Sequence, residues 1–210
     1  MGRFRLLVAY HGANFHGWQI QSSVRTVEGE LSRAFSTLAR VETKVQGASR
    51  TDAGVHAEGQ VAHVDYDGDL DCFRLRRALN GIADRDVRVA HCEPVDESFH
   101  ARHSARGKQY RYTIWNHRAA HPLMTDRAAH VPRLLDTDKM QRAARDLLGE
   151  RDFSCFRAAS CDAKTPVVAL SRVDVRRSGD LVELVVEGSS FLKYMVRTIS
   201  GTLIEVGLGK

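Results

Sequence analysis

The sequence predicts an α+β fold made of two related lobes that share a mostly antiparallel sheet. Three observations carry this expectation. Strand-like and helix-like periodicities alternate through the first half, the second half loosely repeats that alternation, and the 210 residues are 43% hydrophobic and 27% charged. That composition is ordinary for a globular chain and excludes disordered and fibrous classes. A chain of this length buries roughly 70% of its unfolded surface, so it needs neither disulfides nor a metal to fold.

The first lobe opens with a strand over residues 3–10 that ends in the turn-rich His11-Gly12-Ala13-Asn14. Thr26 has the character of a helix N-cap, and Val27, Leu31, Phe35 and Leu38 follow at helical spacing as one apolar stripe. Residues 59–65 alternate as a strand does, with Ala62 and Val64 on one face and Val61 and His63 on the other. A short helix is expected over residues 73–79 and a strand over 86–95. A basic loop, 96–106, follows, and the lobe boundary is placed at its end, giving 1–105 and 106–210.

The second lobe starts with a strand over 108–116 that sets Tyr110, Tyr112 and Ile114 on one side. Asp136 or Asp138 can cap a helix that passes through Met140, Ala144 and Leu147 and stops at Gly149. Residues 167–177 and 180–187 flank Ser178-Gly179 as a hairpin. A last helix is expected from about Phe191 to Val206, with Met195, Ile199, Thr202 and Val206 along one stripe.

Lys and Arg number 31 against 26 Asp and Glu, a net charge of +5. This excess points weakly to an anionic partner. Of the basic residues only 6 are Lys and 25 are Arg. Arginine forks onto phosphate and stacks on flat rings, but a GC-rich genome would produce the same bias, and composition alone leaves the two readings even. The four cysteines (Cys72, Cys92, Cys155, Cys161) form no C-x-x-C pair, which leaves no zinc spacing and suggests small buried hydrophobes in a reducing compartment. The apolar run Leu6-Leu7-Val8-Ala9 is too short for a signal-peptide core and nothing approaches a membrane span, so a cytoplasmic location is expected.

The stretch richest in chemistry is Ser49-Arg50-Thr51-Asp52-Ala53-Gly54-Val55-His56-Ala57-Glu58-Gly59-Gln60. A carboxylate beside an arginine on a turn at a strand end is a common way to hold a functional group. Taken alone, a loop salt bridge with Gly54 in a left-handed turn is the better account. Asp52 and His56 stand four apart, as helical metal ligands would, but Gly54 and the strand pattern after it argue against a helix there.

This stretch resembles the signature of the TruA-type tRNA pseudouridine synthases, G-R-T-D-A-G-V-H-A followed by G-Q-V. Residues 50–57 match throughout, and Ser49 replaces the leading glycine. Tyr10-His11-Gly12, Phe15-His16-Gly17-Trp18-Gln19 and Thr26-Val27-Glu28-Gly29 resemble the family's opening block. Phe99-His100-Ala101-Arg102 and Lys108-Gln109-Tyr110-Arg111-Tyr112 resemble its central one. Asp152-Phe153-Ser154-Cys155-Phe156 and Phe191-Leu192-Lys193-Tyr194-Met195-Val196-Arg197 are similar to later ones. The ordered blocks span essentially the whole chain.

The resemblance implies the pseudouridine-synthase fold of two ferredoxin-like lobes, usually as a homodimer, and isomerisation of uridine to pseudouridine in the anticodon stem-loop of tRNA. It implies Asp52 as nucleophile, Arg197 as its counter-charge, Tyr110 against the target uracil and Arg50 holding the flipped nucleotide or the space it leaves. Arg102, Arg106, Lys108 and Arg111 are expected on RNA phosphates. The reaction takes nothing from outside, so no cofactor or metal is expected. The histidines at 56, 63, 100 and 103 are assigned structural or backbone-contacting roles, because the reaction needs no histidine base. Two readings of other classes compete: a binding-only tRNA chaperone, which the intact Arg50-Thr51-Asp52 argues against, and a metal-dependent phosphohydrolase using Asp52 and His56. Thr198 stands where the family usually has asparagine. Family members also continue past residues 207–210 with a helical segment and a closing strand, so the second lobe is expected to be truncated at its C-terminal end.

Overall fold

The computed structural model describes residues 2–210, and the chain divides into two compact units, one ending at Ala105 and the other beginning at Arg106. The first unit runs β1 (Gly2–Tyr10), α1 (Val27–Ala39), β2 (Gln46–Gly47), β3 (Ala57–Tyr66), α2 (Cys72–Ile82) and β4 (Val87–Val95). Its strands lie in the order β2-β3-β1-β4, all antiparallel, which is the split βαββαβ arrangement of ferredoxin-like folds. β1 is central, and Leu6 sits opposite both Ala62 and Cys92. Alternation along β1 buries Leu6, Val8 and Tyr10 in a core with Leu31, Phe35, Leu75 and Leu79 from the two helices.

The helices start where their caps dictate. Thr26 accepts the Gly29 N–H through its hydroxyl, Glu28 and Glu30 in the first turn favour the positive end of the helix dipole, and Val27, Leu31, Ala34 and Phe35 form the buried stripe. Asp71 caps α2 by accepting the Arg74 N–H at 2.8 Å, so this helix begins one residue earlier and ends three residues later than the sequence suggests.

The second unit contains β5 (Lys108–Trp115), β6 (Ala129–His130), α3 (Thr137–Arg145), β7 (Gly149–Asp152), β8 (Val167–Ser178), β9 (Leu181–Gly188) and α4 (Met195–Gly207). Its sheet has the order β6-β5-β9-β8-β7, antiparallel except for the short β5–β6 pair. The α+β class and the antiparallel character are as expected. The pairing is divided between a four-stranded and a five-stranded sheet, one in each unit, where one shared sheet was expected. The second sheet is a β7-β8-β9 meander closed by β5, an order unlike that of the first.

Asp136 is the cap of α3, accepting the Lys139 N–H at 2.9 Å. Regular helix ends at Arg145 rather than Gly149, because the next three amides bond three residues back and tighten the chain before Gly149 turns at φ +87°. The last helix starts at Met195, not Phe191, because Tyr194 has φ +65°. Its buried stripe is Met195, Ile199, Ser200, Leu203 and Gly207, which displaces the expected Thr202 and Val206. Thr202 is exposed and donates its hydroxyl to the Thr198 carbonyl. At Gly207 a Cβ would stand 2.8 Å from Met140 Sδ, so a larger residue there would make the Met140 side chain shift where α4 packs on α3.

The cysteines correct one expectation. Cys92 is buried, and that burial pushes its thiol up to about 12, but Cys155 is exposed and Cys72 and Cys161 are half-buried. No helix among the described residues is long and apolar enough to cross a membrane.

Candidate functional site

Asp52 lies in the irregular segment between β2 and β3, and this segment is held on several sides. The Ser49 carbonyl accepts from the buried Gln60 side chain at 2.7 Å. The Thr51 hydroxyl meets the Tyr10 hydroxyl at 2.8 Å, and the Thr51 carbonyl accepts the Trp18 N–H at 3.0 Å. Beyond Asp52 the chain turns sharply. The Val55 N–H returns to the Asp52 carbonyl, Gly54 takes φ +78°, and the Gly54 N–H donates to the Phe15 carbonyl at 3.2 Å. The turn is thus the left-handed one expected at Gly54. It also rules out a helix carrying Asp52 and His56 on one face.

The opening loop must approach closely to do this. A Cβ on Gly12 would stand 2.0 Å from the Val55 carbonyl oxygen, and one on Gly17, already at φ +96°, would stand 2.7 Å from the Thr51 carbonyl oxygen. Both glycines let one backbone lie against another. His56 Nδ1 accepts the Gly12 N–H at 3.0 Å, and its ring packs 4.5 Å from His11. Asp52 and Thr51 are half-buried, whereas Arg50 is exposed.

His63 and His100 also accept hydrogen bonds from the backbone. His63 Nδ1 accepts the Ala101 N–H at 3.2 Å, and His100 Nδ1 accepts from Arg102 N–H at 3.2 Å and from His103 N–H at 3.4 Å. Burial, then the neighbouring His100 and Arg3, holds His63 below the usual histidine range. Arg3 ties the same turn to β1 through the Glu97 and Phe99 carbonyls and pairs with Asp65 at 2.7 Å, which keeps that carboxyl below its usual range. Arg102 is exposed on this turn.

In the second unit, β5 places Lys108, Tyr110, Tyr112 and Ile114 on one face by strand alternation. Tyr110 is half-buried and meets Phe191 edge-to-face, centroids 4.9 Å apart at 77°. Arg111 is on the opposite face and lies 3.7 Å from Glu183 of β9, so it does not converge with Lys108 and Tyr110. Arg106 and Lys108 line an open cleft of about 640 Å³ with Ser171, Glu187, Gly188 and Ser189. A bulge between Leu170 and Arg172 shapes this cleft, and Ser171 bonds across it to the Glu187 carbonyl. Arg197 is exposed in the first turn of α4, its guanidinium 5.1 Å from the Tyr194 ring centre.

The sequence reading passed over Tyr10, Phe15, Trp18, Gln60 and Phe191 as individual contributors. All five lie in the motif blocks and none is charged. Only their position in an ordered block could have flagged them.

A family model described as tRNA pseudouridine synthase matches residues 6–104 and 143–210. The chain is similar to the tRNA pseudouridine synthase A of Paramagnetospirillum magneticum, 48% identical over 211 residues that cover 100% of this chain and 82% of that protein. It is also similar to the tRNA pseudouridine synthase A proteins of Brucella ovis and Brucella suis, each 44% identical over 215 residues covering 100% of this chain and 85% of the relative.

Proposed function

We propose, from the premise that this chain belongs to the tRNA pseudouridine synthase family, that it isomerises uridine to pseudouridine in the anticodon stem-loop of tRNA with Asp52 as nucleophile. The reaction breaks the N1–C1′ bond, turns the base and joins C5 to C1′. The C5 proton leaves to solvent and N1 gains one, so atoms and electrons balance without a co-reactant. A carboxylate can open this sequence by adding to C6 of the ring or by attacking C1′.

One observation carries the reading. Asp52 is half-buried on a turn whose backbone is fixed at Thr51 and Gly54 by hydrogen bonds to the opening loop. A nucleophile needs that fixity, because small displacements from the attack geometry are costly in rate. Arg197 is its proposed counter-charge, since an ionised carboxylate withdrawn from water needs one. Tyr110 is the proposed platform for the extruded uracil, where stacking is worth roughly 1–3 kcal/mol. Arg50 is the proposed contact to the flipped nucleotide, and Arg102, Arg106, Lys108 and Arg111 are proposed phosphate contacts. The homodimer and the cytoplasmic location belong to the same proposal. Sedimentation of the purified chain tests the dimer.

The decisive experiment is Asp52→Asn and Asp52→Ala, read by release of label from uridine C5 in tRNA. Turnover is expected to fall roughly 10³-fold or more while tRNA affinity stays within a few-fold. Retained turnover in either variant would end the assignment.

A further inference from the structure

Arg25 stands between the two parts of the opening block, just before the Thr26 cap, and the proposed chemistry gives it no role. Its guanidinium forks onto both carboxylate oxygens of Asp86, at 2.6 and 2.8 Å, and reaches Asp84 at 2.7 Å. The same group lies over the Phe15 ring, 4.1 Å from its centre, and Phe15 is almost fully buried. Only a planar guanidinium can fork and stack at once. The Arg25 carbonyl also accepts the His16 N–H at 2.9 Å, which fixes both ends of Phe15-His16.

The opposite side of this short segment touches the Asp52 turn. The Phe15 carbonyl receives the Gly54 N–H, and three residues on, the Trp18 N–H reaches the Thr51 carbonyl. Asp52 is therefore bracketed by two backbone hydrogen bonds whose other partners sit in the segment that Arg25 clamps. The His11 N–H adds a bond to the Asp86 carbonyl at 2.8 Å, so the start of β4 anchors the opening loop at two points.

We propose that Arg25 is a positioning residue for Asp52. Through Phe15 it sets where the turn at residues 51–54 lies, with Asp84 and Asp86 as its fixed base. This rests on the reading of Asp52 as nucleophile. Part-exposed ion pairs of this kind contribute little to global stability, so the effect belongs in the rate and not in the fold.

Arg25→Ala and Arg25→Lys, assayed on full-length tRNA, test the proposal, with amide exchange followed at Gly54, Trp18 and, as a core reference, Leu31. Arg25→Ala is expected to lower kcat about 10- to 100-fold with KM within about twofold, the loss expected from a small misplacement of a reacting group. The Gly54 and Trp18 amides should exchange faster while Leu31 does not. Arg25→Lys keeps the charge without the fork and stack and should recover only a minor part of kcat. Unchanged kcat would overturn the proposal, and so would a kcat loss matched by faster exchange at Leu31, which would mark general destabilisation. Asp52→Asn in parallel keeps the two readings apart. If it retained turnover the nucleophile reading would fall, whereas the exchange at Gly54 would still decide whether Arg25 holds the turn.

Discussion

The Asp52 turn of the first unit and the Tyr110 strand of the second are built on opposite plans. The turn is irregular backbone pinned by other backbone: Phe15 and Trp18 bond to it, and two glycines give the room. The strand is regular backbone whose side chains do the work, with Tyr110 edge-to-face against Phe191, and Arg106 and Lys108 beside an open cleft. The difference is one of tolerance. On the proposed roles, the group that attacks one atom is held by close backbone contacts, whereas the groups that stack on a base or neutralise phosphate can adapt.

That contrast breaks most readily at the turn. Gly12→Ala forces a carbon against the Val55 carbonyl, where the built distance is 2.0 Å. A backbone shift follows, and turnover is expected to fall roughly 100-fold, with about 1–3 kcal/mol of stability lost to overpacking. Single-turnover rates and thermal melts check both; wild-type turnover would show that the turn is not held as tightly as its contacts suggest.

On the strand, Tyr110→Ala should cost about 1–3 kcal/mol in substrate binding, read as tRNA affinity, while Tyr110→Phe keeps it because the ring remains. Smaller still is the effect of removing cations. Replacing Arg106 and Lys108 together by alanine should flatten the slope of log affinity against log salt by roughly 1 per lost cation, and Arg111→Ala, on the other face of the strand, should flatten it by roughly 1.

Acid weakens the two units in the same direction but over different pH ranges. His63 titrates below its usual value in the folded chain, so its neutral form favours folding. Its contribution is complete above about pH 6.5 and is lost as pH falls through the lower folded value. Asp174 in the second unit is also held low, by Arg172, and its contribution is lost only below the ordinary carboxylate value of about 3.9. The protection of amides near Ala101, taken against their intrinsic exchange at each pH, should therefore fall between neutral pH and pH 5, and His63→Asn should remove that dependence.

Much of this was legible along the chain. Thr26 and Asp136 announced their helices because a cap is a local device, a side chain bonding a backbone group three residues on. The alternation of β1, β3 and β5 announced strands because one face of each is buried. The motif around Asp52 announced the family. The missed elements were β2, β6 and β7, of two to four residues, too short to show a period and formed only because a neighbour offers hydrogen bonds. Cys155 was expected to be buried on residue type, yet its surroundings leave it exposed.

The sequence by itself determined the α+β class, the helix cap at Thr26 and the acidic residue to test, since each follows from patterns spanning a few neighbouring residues. Only the tertiary structure decided that the strands form two sheets, that Phe191 meets Tyr110, and that Arg25 reaches the Asp52 turn through Phe15. Those facts depend on which distant backbone lies within about 3 Å of a given hydrogen-bonding group. No local pattern encodes that distance, because it is fixed by how helices and strands pack once the chain has closed on itself.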